Sequence, residues 1–283
     1  MKDLPMNLRN ALTVSAILVF SAFAAVAQET ISQEAPIKPE APVTIVRQAV
    51  RAFSIGLTGA YGIMLNSADQ FSLPTVPTCC PGYSSTSGGG FIGGVELNLP
   101  LSDKLDLVAR LVFQSSSSTF VTDEPTTLRV GNQAIETAFR HTLETQASFL
   151  MLEPMLDYQI TGGLSLIGGL RLGTSVGGSY DQRETFADPT LPYDFTGGAS
   201  VRNASSGDLP NQSSFQMGLV LGARYQLPLN VAGTMSLVPE ITFSPMFTNV
   251  VSDATWKISP IRLGLSVLFD VMRFEQQASP LSP

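Results

Sequence analysis

Eight charged residues are spaced so that their side chains can pair with one another. Each occupies the polar face of a segment in which apolar residues recur at every second position. They are four arginines and four carboxylates: Glu96, Arg110, Glu153, Asp157, Arg171, Arg224, Glu240 and Arg262. Acidic and basic segments alternate along almost the whole chain, the exception being the successive arginines Arg171 and Arg224. Since an unpaired buried charge is costly, this alternation predicts an interior network of salt bridges.

Two pairs in this set have matching distances from a turn. Glu96 and Arg110 are about equally far from the turn at 102–104, and Glu153 and Arg171 are placed in the same way around 161–163. In a hairpin such residues lie opposite each other. We therefore expect direct Glu–Arg contacts across both hairpins, within either a static polar core or an ion gate.

The remaining residues with reactive side chains are few. Cys79 and Cys80 are adjacent, a spacing found neither in disulfide frameworks nor in zinc sites. In an oxidising compartment they are a possible disulfide, either with each other or between molecules. His141 is the single histidine, which excludes sites built from several histidines. We expect no metal and no cofactor.

The segments that position these residues have the two-residue period of β-strands. In strand one, for example, Phe53, Ile55 and Leu57 alternate with Ser54 and Gly56. Eight strands are predicted. Five have both bounds, at about 52–65, 89–101, 142–160, 215–227 and 235–247; the third begins at about 105, the fifth begins at about 164, and the last ends at Phe269. Residues 43–50 fit either a short helix or an extension of the first strand.

The connectors alternate between short and long. Short ones are predicted at 102–104, 161–163 and 228–234, and long ones near 66–88, 115–141, 179–214 and 248–255. This asymmetry is typical of outer-membrane barrels, whose long loops are extracellular. Pro154, Pro239 and Pro245 fall within the predicted strands, and we expect them near strand ends or bulges because proline donates no hydrogen bond.

Composition agrees with a β-structured membrane protein. Only 14% of residues are charged and mean hydropathy is +0.20, yet no segment after the N-terminus is long and apolar enough for a membrane helix. Residues 1–27 have the basic start, apolar stretch and Ala25-Val26-Ala27 site of a signal peptide cleaved after Ala27. Its removal changes the net charge from −7 to −8, which argues against nucleic acid as a partner.

The last strand carries a further pattern. Arg262, Gly264, Val267 and Phe269 stand where the C-terminal assembly signal of bacterial outer-membrane barrels has its polar, glycine, hydrophobic and aromatic residues. Together with the strand and loop pattern over 53–269, this run resembles the OmpA-like outer-membrane β-barrel domains of Gram-negative bacteria. The resemblance implies an all-β fold: a closed, eight-stranded, antiparallel, up-and-down transmembrane β-barrel with short periplasmic turns and long extracellular loops.

The expected organisation follows from these features. After the signal peptide come a Pro-rich periplasmic segment (28–51), the barrel (52–270) and a short periplasmic tail (271–283), which is too short for the cell-wall-binding domain of many relatives. A soluble, lipocalin-like barrel is the alternative, and there the apolar faces would point inward.

We expect an outer-membrane protein with a structural and surface-interaction role and a lumen plugged by the charge network. The expected partners are outer-membrane lipid, the barrel-assembly machinery acting through the last strand, and an unidentified extracellular ligand. A small gated pore or transporter for small solutes or hydrophobic compounds is the first alternative. A lipid-modifying enzyme using His141 is a weaker one, because no partner for His141 is placed by the sequence, and we predict no enzymatic activity.

Overall fold

The computed structural model describes residues 43–74, 76, 82–130, 132–190, 195 and 198–280. The chain divides into two compact units, one of residues 47–276 and one of residues 1–46 with 277–283. All the side-chain contacts considered below lie in the first unit. The expected signal peptide, the segment 28–42 and the pair Cys79 and Cys80 lie outside the described residues.

Every regular element of the described chain is a β-strand. The strands are β1 (Val43–Ala68), β2 (Thr86–Ser102), β3 (Leu105–Val130), β4 (Gln133–Thr161), β5 (Leu164–Phe186), β6 (Arg202–Asp208), β7 (Gln216–Tyr225), β8 (Leu227–Pro228), β9 (Met235–Phe243) and β10 (Trp256–Pro280).

Eight of these strands form a closed ring of antiparallel neighbours. The order around the ring is β1, β2, β3, β4, β5, β7, β9 and β10, and β10 pairs with both β9 and β1. The short strand β6 pairs with β5, and β8 pairs with β9. The all-β, antiparallel, eight-stranded arrangement predicted from the sequence is therefore present.

Apolar side chains point out of the ring, and polar ones point into it. On β1, Leu57 and Tyr61 are 67% and 66% exposed, whereas Ser54 is buried. On β10, Leu263 is 67% exposed while its neighbour Arg262 is buried. Successive residues of a strand point to opposite faces, so the two-residue period of the sequence fixes this separation. It is the reverse of the lipocalin-like arrangement.

Two of the predicted long loops are largely strand, which corrects the sequence-based boundaries. β3 and β4 pair without interruption from Leu105↔Tyr158 to Val130↔Gln133, so most of 115–141 belongs to a hairpin. Within 179–214, β5 continues to Phe186 and β6 adds a further strand. Both faces of these extensions carry polar residues, so the apolar alternation that marks a strand is absent there.

Three further predictions are settled by the strand bounds. Residues 43–50 are strand, and the last strand continues past Phe269 to Pro280. Pro154 and Pro239 lie well inside β4 and β9, so the prediction that they sit at strand ends or bulges was wrong. Pro245 lies just beyond the end of β9, as expected.

Candidate functional site: charged residues inside the ring

Strand register places the charged residues beside one another inside the ring. Glu96 on β2 is directly opposite Arg110 on β3, and Arg110 is in turn opposite Glu153 on β4. On the far side, Arg224 on β7 is opposite Glu240 on β9. All five side chains are buried. The alternation of charge read from the sequence thus becomes an alternation around most of the ring, interrupted where β5 and β7 each contribute an arginine.

Three arginines reach across the ring to a glutamate on the opposite wall. Arg110 makes a bidentate pair with Glu240, with Nη1 at 2.7 Å from Oε1 and Nη2 bonded to Oε2. Arg224 Nη2 donates to Glu96 Oε1 at 2.8 Å, and Arg262 Nη1 donates to Glu153 Oε1 at 2.8 Å. In each case the two strands are four places apart in a ring of eight, which is the largest separation possible.

Contacts between strands that are closer together in the ring link these bridges into two groups. Arg110 Nε donates to Glu96 at 2.7 Å, and Arg224 Nε lies 3.4 Å from Asp157, which joins Glu240, Arg110, Glu96, Arg224 and Asp157 in series. The second group contains Arg171, Glu153 and Arg262, with Arg171 Nη1 at 2.7 Å from Glu153. The structure therefore brings together all eight of the residues singled out in the sequence.

Neutral side chains add hydrogen bonds to the charged residues, and the sequence analysis missed them. Arg171 donates to Gln114, and Ser266 donates to Glu96 at 3.1 Å. Arg262 donates to Thr242 at 2.8 Å and to Ser244 at 3.1 Å. Each of these four neutral residues is an even number of positions from one of the eight charged residues, on the same strand or just beyond its end. The two-residue period could therefore have identified them.

Apolar side chains fill the interior of the ring on one side of the charged residues. Ile92, Val112 and Met151 lie four or two residues from Glu96, Arg110 and Glu153, in the direction of the longer connectors. They belong to a large buried cluster, the upper cluster, whose members include Met64, Phe71, Phe120, Phe149, Met246, Val250, Trp256 and Ile258. A smaller cluster of Val108, Met155, Ile167 and Val220 lies among the charged residues. The interior is therefore filled rather than open at this level.

His141 lies further along β4, where β3, β4 and β5 extend beyond the other strands. Its Nε2 is 3.2 Å from Glu124 Oε2, and its Nδ1 is 3.9 Å from Glu184 Oε2. Glu184 also accepts hydrogen bonds from Arg202 and from Asn203, the latter at 2.7 Å. Burial is the largest single effect and raises the pKa of Glu184, but the two hydrogen bonds and the positive charge of Arg202 together hold the pKa below its ordinary value. His141 thus lies between a carboxylate of each neighbouring strand, Glu124 of β3 and Glu184 of β5.

The residues of the expected assembly signal follow the alternation of β10. Arg262 and Gly264 face inward, where Arg262 pairs with Glu153, while Phe269 is exposed on the outer face and Val267 is partly exposed. Among the described residues, the structure contains no helix long and apolar enough to cross a membrane. Within the same residues, no three His, Cys, Asp or Glu side chains are grouped to hold a metal ion.

Comparisons with known proteins give distant structural neighbours. Ail, the attachment invasion locus protein of Yersinia pestis, is 13% identical with a TM-score of 0.34, covering 77% of this chain and 99% of Ail. Neisserial surface protein A is 12% identical with a TM-score of 0.32, covering 79% and 99%. The translocator domain of autotransporter NalP from Neisseria meningitidis is 10% identical with a TM-score of 0.27, covering 78% and 88%.

These neighbours are outer-membrane β-barrel proteins, and their names describe attachment, surface and translocator proteins rather than enzymes. No protein-family model matches the sequence, and no curated protein matches it. At these identities and TM-scores the similarity assigns no function to this chain.

Proposed function

We propose that the chain is an outer-membrane β-barrel protein with a structural and surface-interaction role, its lumen plugged by the Arg/Glu network. The observation that carries this proposal is the reversed burial. Large apolar side chains such as Leu57, Phe91 and Leu152 are exposed all around the ring, while arginines and glutamates are buried within it. In water so large an apolar surface would promote aggregation, whereas in a bilayer it contacts lipid.

A closed ring also leaves no open sheet edge in lipid. Each ring strand pairs with a neighbour on both sides, so there is no free edge at the level of the apolar belt. This is the condition for any sheet that spans a bilayer. The short connectors at 103–104 and 162–163 would face the periplasm, and β3, β4 and β5 would extend outside the cell. The outward extension is the part available to an extracellular ligand.

The first experiment is electrophoretic heat-modifiability of the membrane-extracted protein. A difference in mobility between unboiled and boiled samples supports a compact, detergent-resistant barrel. Recovery in the soluble fraction, with no mobility difference, contradicts the proposal, because the exposed apolar belt would then have to be covered in another way.

A small gated pore is the second candidate function, favoured by the three bridges that cross the ring. If the bridges form a gate, weakening one should open a path, so Glu153→Gln should raise single-channel conductance in planar bilayers. Glu144→Gln is the matched control, because Glu144 pairs with Arg183 on the outer face of the sheet. Since the upper cluster fills the ring beside the charges, we expect both variants to conduct no better than the wild type.

A further inference from the structure

One seam of the wall has fewer backbone hydrogen bonds than its neighbours. β9 lies between β7 and β10, and its N–H groups point alternately to each. Ser244 N donates to Pro260 O, towards β10, and Phe247 N donates to Met217 O, towards β7. Odd-numbered residues of this segment therefore face β7 with their N–H groups. Pro239 and Pro245 are both odd-numbered and have no N–H to donate.

The pairing of β7 with β9 is interrupted at these two prolines. It runs from Leu221↔Phe243 to Arg224↔Glu240, is absent at Pro239 and resumes at Leu227↔Leu237. On the other side it is absent at Pro245 and returns as the single bridge Gly218↔Met246. The register is the same throughout, so the interruptions are lost hydrogen bonds and not a slip of the strands. By contrast, β5 with β7 and β9 with β10 pair without a break.

At Pro245 the loss concerns one specific bond. Leu219 N donates to Pro245 O at 3.0 Å, but Pro245 returns no bond to the carbonyl of Leu219. In lipid an unpaired carbonyl costs several kcal/mol, on the order of the cost of burying any unbonded amide group. A proline at this position therefore weakens the pairing of the two strands, as Pro154 does between β4 and β5.

A small, mostly apolar cavity lies directly inside this part of the wall. Its apolar lining comes from Phe149, Met151, Met246, Val250 and Ile258. Its volume of about 10 Å³ leaves room for no more than one water molecule. Met246 lies between the cavity and the seam: a Cβ added to Gly218 would be 2.6 Å from its sulfur. Because methionine is unbranched and flexible, this side chain can move without displacing the backbone.

The cavity is closed along the axis of the ring on both sides. Arg171, held by Glu153, lines it together with Gln114 and Gln216. On the other side, Trp256 is buried. Its ring is stacked on that of Phe71, with the ring centroids 5.5 Å apart, and makes an edge contact with the ring of Phe120 at a centroid distance of 5.7 Å. Passage through the lumen would require breaking one of these layers. The seam at Pro245 needs only the displacement of Met246 and the parting of an already weakened pair of strands.

We propose that the β7–β9 seam at Pro245 is a lateral portal, with Met246 as its gate, through which a small uncharged apolar molecule enters the cavity from the bilayer. This inference rests on the proposed membrane location. The lining selects for an uncharged, apolar ligand, because five of its eight side chains are apolar and its one charge is paired. The cavity enlarges as Met246 swings away, and the plugged axis remains closed.

Trp256 provides the measurement, since it is the single tryptophan of the chain and belongs to the same upper cluster as Met246 and Ile258. Bromobenzene, a quencher that partitions into bilayers, is titrated into vesicles containing the protein. We expect saturable quenching of Trp256 that benzene reverses by competition. Met246→Ala should lower the half-saturating concentration severalfold, because it removes the gate and enlarges the cavity.

Pro245→Val tests the seam independently of the cavity, because it restores an N–H facing β7. We expect it to slow the onset of quenching severalfold in stopped-flow mixing. Pro154→Val is the matched control: Pro154 lies within β4, away from the seam, and its replacement should leave the rate unchanged. Each variant is first checked for the heat-dependent mobility shift, so loss of the barrel is distinguished from loss of the portal. Non-saturable quenching that is identical in all folded variants would overturn the portal.

Discussion

Arg110 and Glu240 stand on opposite sides of the ring and are joined by two parallel hydrogen bonds across it. The side chain of Arg110 is 2% exposed and also bonds to Glu96 on the neighbouring strand. One guanidinium thus serves two carboxylates. Planar, five-donor geometry makes arginine suited to this task, and lysine could not replace it.

Replacing Arg110 by methionine should be strongly destabilising. The change leaves Glu240 without its bidentate partner and removes one of two cations from Glu96. Breaking a buried pair costs about 3–5 kcal/mol, because a charge remains buried without compensation. Urea unfolding of the protein in lipid vesicles measures the free energy.

Two further variants test whether the loss comes from the buried charge. Arg110→Met with Glu240→Leu should recover part of the loss, since the orphaned carboxylate is removed. Arg183→Met is the control at an exposed ion pair and should cost less than about 1 kcal/mol. Equal losses for Arg110→Met and Arg183→Met would show that the interior pair is solvated.

Two adjacent glycines of β2 should respond differently to alanine. A Cβ on Gly94, which faces inward, would meet the Leu111 carbonyl oxygen at 2.1 Å, so the wall would have to shift. A Cβ on Gly93 meets only the Thr58 carbonyl oxygen, at 3.9 Å. We expect Gly94→Ala to cost about 1–3 kcal/mol and Gly93→Ala to stay within about 0.5 kcal/mol. The urea midpoint of each variant decides, and a larger effect at Gly93 would reverse the assignment of the two faces.

The indole of Trp256 depends on one side chain for its hydrogen bond. Its Nε1 donates to Asn66 Oδ1 at 2.9 Å, and Asn66 Nδ2 donates to Ser118 at 2.7 Å. Asn66→Leu leaves the buried N–H without this acceptor, and we expect a loss of about 1–3 kcal/mol. Trp256 fluorescence during urea unfolding reports the change. Ser85→Ala, at a partly buried hydroxyl that bonds to backbone near Ala68, is the control and should have a smaller effect.

Acid should loosen the outer part of the sheet through Glu184. Its folded-state pKa is held below the ordinary value of 4.5, so its contribution to stability is present above that value and is lost as the pH falls below it, through the lowered pKa. We expect the rate of hydrogen exchange in residues 179–208, corrected for its intrinsic pH dependence, to rise as the pH is lowered from about 5 to about 3, a range that brackets the ordinary carboxylate pKa. This rise should be larger in the wild type than in Glu184→Gln. Identical pH dependence in both proteins would show that Glu184 is not the group responsible.

The strand pattern accounts for most of what could be predicted. Alternation of Leu263, Leu265 and Val267 with Arg262, Gly264 and Ser266 needs only the two-residue period, which is local and visible in the chain. The extensions of β3 and β4 were missed because neither face of residues 122–125 is consistently apolar. There the tertiary pairing of two strands determines the structure, and local pattern does not.

The sequence by itself determined the all-β class, the ring strands and which residues face inward, because these depend on spacing along one strand. Only the tertiary structure decided that Arg110 meets Glu240 and that Arg262 meets Glu153, residues 130 and 109 positions apart. Those contacts require the ring to close, since closure alone sets which strands are opposite. It likewise decided that Pro239 and Pro245 both face β7, because the direction of an N–H group becomes meaningful only once a strand has neighbours on each side.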